Sequence, residues 1–95
     1  MSDRPHIAKK YDVEFAELEG YSADQCYDMI ERLRQFDYDV VSFESEHCDA
    51  YEFDREILEE LLTHPALPAD LAGFVSSLLA QGGENKFNIV RLEFY

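Results

Sequence analysis

Between residues 11 and 60 the chain places 17 Asp and Glu against three basic residues, Arg32, Arg34 and Arg55. An unpaired carboxylate is costly to bury, so roughly a third of this stretch must face water whatever the fold. Every element built from it is therefore two-sided, and its core side is whatever the acids leave over. The flanks are nearly neutral, with +2 over the first ten residues and −1 over the last 35.

The apolar residues that remain fall into recognisable periods. Tyr11 to Phe15 alternates with period two, the pattern of a half-buried strand ending before Gly20. Ser22 and Gln25 form a capping-box pair, and Cys26, Met29, Ile30, Leu33 and Phe36 follow at helical spacing, predicting a helix over 22–36. Residues 38–45 are β-branched and aromatic and read as a second strand. Asp49 and Glu52 offer another capping box, opening a helix that runs to His64 before Pro65 with Ile57, Leu58, Leu61 and Leu62 as its stripe. Pro68 suits the first turn of a third helix carrying Leu71, Phe74, Val75, Leu78 and Leu79. Gly82-Gly83 would end it through a left-handed cap. From Phe87 to Tyr95 a last strand puts Val90, Leu92 and Phe94 on one face.

The predicted order is β-α-β-α-α-β. It implies a small two-layer α+β sandwich in which a three-stranded sheet is covered on one face by helices. The crossover through the first helix would be parallel, and the mixed faces of the last strand suit the middle of the sheet. Residues 1–10 read as a mobile, mildly basic lead, and 11–95 as one acidic domain. On the sheet's other face Asp12, Glu14 and Glu44 would take Arg91 as counter-charge.

Composition narrows function mainly by exclusion. Net charge is −13, which repels nucleic acid and anionic membranes as direct partners. No apolar run approaches the ~20 residues of a membrane span. The first residues lack a secretory h-region, and Cys26 and Cys48 read as free thiols in a reducing, cytoplasmic setting. Residues 44–49 gather Glu44, Glu46, His47, Cys48 and Asp49, yet the second ligand pair of a zinc site is missing. The nearby acids would raise the Cys48 pKa, away from a nucleophile's. No cofactor, metal or catalytic constellation is expected, and the chain does not read as an enzyme.

What remains is where the acid points. Projected at 100° per residue, Asp24, Asp28 and Glu31 fall opposite the apolar stripe of the first helix, alongside Gln35. Asp49, Glu52, Glu56, Glu59 and Glu60 do the same on the second. Acids four apart lie about 6 Å apart along a helix axis, comparable to successive phosphates along a nucleic-acid strand. Tyr21 and Tyr51 are the expected exposed anchors, since tyrosine beside carboxylates suits capture of arginine side chains. Tyr38 is expected in a strand and Phe53 in the core.

The functional expectation is a small inhibitor or decoy, monomeric or homodimeric, that binds the basic nucleic-acid-binding surface of a partner protein. In size, charge and absence of motifs the chain resembles the phage and mobile-element proteins that block restriction or CRISPR complexes. Other readings are an immunity or antitoxin protein covering a basic nuclease, and an adaptor or oligomer subunit whose acid only maintains solubility. Adaptation to high salt fits less well, because the third helix carries one acid, Asp70.

Overall fold

The alternation near residue 90 organises the sheet. β5 (Ile89–Phe94) turns Val90, Leu92 and Phe94 into the core and Ile89, Arg91 and Glu93 to the opposite face. The computed structural model describes residues 4–10, 14–44 and 49–95, the side chains of 43, 44 and 49 excepted. β5 lies between β1 (Pro5–Lys10) and β4 (Asp49–Asp54), while β2 (Glu14–Glu17) and β3 (Val41–Glu44) form the edges. The order is β2-β1-β5-β4-β3, and every pairing is antiparallel. Three helices, α1 (Ala23–Phe36), α2 (Arg55–Leu62) and α3 (Ala69–Gln81), pack their buried residues into one core with Ile7, Tyr51, Phe53, Val90, Leu92 and Phe94.

The α+β class with three helices holds, but the sheet has five strands where three were predicted. The order is β-β-α-β-β-α-α-β. Both additional strands come from segments read otherwise. Pro5–Lys10, taken as a mobile lead, is β1, paired on both sides, with Ile7 fully buried opposite Leu92. Its sequence PHIAKK contains one large aliphatic residue, too few to show a period.

Asp49–Asp54 is β4 and not the start of a helix. Tyr51 and Phe53 are both buried, two residues apart, which only a strand can do on one face. α2 begins at Arg55, where Asp54 Oδ1 accepts from the Glu56 and Ile57 backbone N–H groups at 2.9 and 3.2 Å. The parallel crossover is also absent, since β2 and β3 lie at opposite edges. Of the strand predicted over 38–45, Tyr38–Val40 is a 3₁₀ turn and β3 starts at Val41. The strand expected from Tyr11 begins, within the described residues, at Glu14.

α1 is capped as its sequence implies. Ser22 Oγ accepts from Gln25 N–H at 3.2 Å, and Gln25 Oε1 accepts from Ser22 N–H at 2.9 Å. It buries Cys26, Ile30 and Leu33, each aliphatic side chain contributing about 1.5–3 kcal/mol. Burial pushes the Cys26 thiol up to about 12, so it stays neutral and acts as a core residue.

At the other end of the helical layer, Pro68 is the N-cap of α3 rather than a first-turn residue. Gly82 has φ −70° and ψ 136°, an extended conformation, so the expected left-handed cap is not formed. Proximity explains the second glycine instead. Gly83 N–H donates to Ala8 O at 2.9 Å, and a Cβ there would lie 1.8 Å from Lys9 O.

Candidate partner-binding surface

Asp24, Asp28 and Glu31 are all exposed along α1, as the helical projection requires. On α2 the exposed acids are Glu56, Glu59 and Glu60. The five-membered ridge expected from 49 to 60 is therefore three residues long, because the chain at Asp49 and Glu52 is extended. Glu52 sits directly across from Arg91 in the β4–β5 ladder, and Arg91 donates to Glu52 at 2.9 Å and to Glu93 at 2.8 Å. These three side chains are only 12, 15 and 17% exposed (Glu52, Arg91 and Glu93 respectively), so this ion group belongs to the sheet and not to an outward ridge. Burial opposes the charge on Arg91, but its hydrogen bonds to Glu93 and Glu52 outweigh that and hold the guanidinium above its usual range.

The three cations of the acidic stretch, all half-buried, are each engaged by neighbours. Arg32 makes a two-pronged pair with Asp70 on α3, at 2.6 and 3.1 Å, and lies 3.8 Å from Asp28. The hydrogen bond from Arg32 holds the Asp70 carboxyl below the usual aspartate range. Arg34 is half-buried with its guanidinium 5.8 Å above the Tyr51 ring. Arg55 reaches across to the end of α3, donating to the carbonyls of Leu79, Gly82 and Gly83 at 3.2–3.5 Å. A positive charge there complements the helix dipole.

Of the two expected aromatic anchors, Tyr51 is 7% exposed and packs edge-on against Phe94, so it is a core residue. Tyr21 is half-buried, edge-on to Phe74 at 5.1 Å. It shares an open cleft of about 530 Å³ with Asp24, Arg4, Glu17 and Tyr27. The structure thus brings Tyr21 and Asp24 together and removes Tyr51 and Glu52 from the group. Three large side chains given other places in the sequence are exposed: Phe36 and Leu62, assigned to apolar stripes, at 36% and 40%, and Tyr38, assigned to a strand, at 80%. Phe36 is the last residue of α1, where the apolar stripe runs past the core, and Tyr38 follows in the 3₁₀ turn.

Among the described residues no group of three or more His, Cys, Asp or Glu could hold a metal ion. Residues 45–48 of the loop considered for metal lie outside them. No described helix is long and apolar enough to cross a membrane. No family model, curated protein or solved structure matches the chain.

Proposed function

We propose that this chain is a small acidic inhibitor that occupies the basic, nucleic-acid-binding surface of a partner protein and competes with the nucleic acid for it. One observation carries the reading. The helical layer turns Asp24, Asp28, Glu31, Glu56, Glu59 and Glu60 to solvent, while Arg32, Arg34 and Arg55 of the same stretch are engaged with Asp70, Tyr51 and the α3 carbonyls. Arg32 offsets Asp28 at 3.8 Å, but six surface acids against three cations, each already engaged, leave a net negative field on this layer, the condition for electrostatic steering of a basic partner.

The test is capture of partners from host lysate on the immobilised protein, followed by elution with duplex or single-stranded nucleic acid. A competitor of nucleic acid releases its partner when nucleic acid is added in excess. Charge reversal at Glu56, Glu59 and Glu60 should weaken capture and flatten its salt dependence. A partner retained undiminished under saturating nucleic acid, and bound equally by the charge-reversed protein, overturns the reading.

A further inference from the structure

The acids of the helical layer can stand in for phosphates, but a nucleic-acid-binding groove also holds bases, usually by stacking them on aromatic side chains. This chain has an exposed apolar patch at one end of the same layer. The end of α1 and the end of α2 meet beside the 3₁₀ turn, where the Phe36 and His64 rings pack edge to face at 5.5 Å. Tyr38, two residues after Phe36, is 80% exposed, Leu62, two before His64, is 40% exposed, and Pro65 and Ala66 beside His64 are exposed as well. Asp39 and Glu59 are exposed and Asp37 half-exposed beside it in sequence or one helical turn away. Arg32, one turn before Phe36, is held by Asp70 and Asp28.

We infer that this patch is the anchor of the interface, and that its occupant is a basic segment or groove of a partner protein carrying aromatic side chains among its Lys and Arg. Exposed apolar patches rimmed by charge mark docking sites. Buried aromatic contacts at an interface centre supply most of its affinity. The rim decides the occupant. A second copy of this chain would set Asp37, Asp39 and Glu59 against one another, whereas a basic partner neutralises them. Phe36 and Tyr38 would then stack on aromatic platforms that otherwise receive bases. The inference rests on the acidic-surface reading above and adds to it the position of the apolar contact.

The chain contains no Trp, so emission from a synthetic Lys/Arg peptide carrying Trp reports binding without background. Its counterpart, with Ser in place of every Trp, serves as a competitor, and amide shifts of the labelled protein locate the site. The Trp peptide should bind at least tenfold tighter than the Ser peptide and shift residues 36–39 and 62–66. Phe36→Ser, Tyr38→Ser and Leu62→Ser together should remove that advantage while the circular-dichroism spectrum and melting point are retained. Single Tyr38→Ser serves as the milder variant if the triple one loses its fold.

Both peptides binding alike with marked salt dependence would sink the patch and leave the acidic surface standing. Neither peptide binding would overturn both readings. Self-association that disappears in the patch variant, without peptide binding, would assign the patch to a second copy and overturn the proposal.

Discussion

Replacing Gly83 with Ala would put a carbon 1.8 Å from the Lys9 carbonyl oxygen and 2.6 Å from its carbonyl carbon. A non-bonded carbon–oxygen contact settles near about 3.3 Å, so the end of α3 and strand β1 would have to separate by about 1.5 Å. Both partners in this clash are backbone, and no rotamer change relieves it. Such a shift removes the Gly83 N–H to Ala8 O bond of 2.9 Å and pulls the Gly83 carbonyl from Arg55. Each loss is worth about 1 kcal/mol, and displacing packed elements adds roughly 1–3 kcal/mol. The expected destabilisation is therefore about 3–5 kcal/mol. In a domain of this size 1 kcal/mol moves the melting temperature by about 4–8 °C, so the variant should melt at least ~12 °C below wild type in calorimetry. Gly82→Ala is the internal control. Its Cβ would meet Leu78 O, also backbone, at 2.8 Å and a Val90 methyl at 3.2 Å, so the separation required is about half an ångström, a third of that at Gly83. It should cost about 1 kcal/mol. A fall of less than about 4 °C for Gly83→Ala would refute the close approach on which the reasoning rests.

Gly73→Ala should have the opposite sign. The site is mid-helix on α3, a Cβ there would lie 3.5 Å from Tyr21 Oη, and removing a helical glycine stabilises by about 0.5–1 kcal/mol in urea unfolding. Arg91→Leu leaves Glu52 and Glu93 facing each other at low exposure and should destabilise by about 3 kcal/mol or more, again read in urea. Asp70 has its pKa depressed by Arg32, so the pair contributes above the unfolded aspartate value of about 3.9 and fades as pH falls through the lower folded value. The melting-point gap between wild type and Arg32→Gln should accordingly close in acid. A gap that widens below the unfolded aspartate value would contradict the pairing. Raising salt from low to physiological strength should raise the wild-type melting point by screening the crowded carboxylates, and a lowered one would argue against crowding.

Helix α1 was legible in detail because cap, stripe and acidic face all repeat within fourteen residues and depend only on local spacing. The same holds for β5, whose alternation is strict. β4 was hidden because Asp49 and Glu52, three residues apart, match a helix-capping box and place a helix start where the strand runs. Only the demand that Tyr51 and Phe53 share a face separates the two. β1 has no period to read and is held by neighbours distant in sequence, which no local pattern encodes. The outward acids of α1 and α2 followed from helical geometry alone. The partners of the arginines did not, since the Arg32–Asp70 and Arg55–Gly83 contacts join residues 38 and 28 apart. Tyr51 was misplaced as a direct consequence of the misread strand.

The position of β5 has a consequence for how the molecule comes apart. β1 with β2, and β3 with β4, are antiparallel pairs of successive strands that could each form from nearby residues. β5 is the wedge that joins them, hydrogen-bonded to β1 on one side and β4 on the other. Were it to detach, two isolated ribbons would remain, and a two-stranded ribbon is at best marginally stable in water. No partial sheet is left to populate. Amide exchange in β1, β4 and β5 should then proceed at one common free energy, that of unfolding the whole domain.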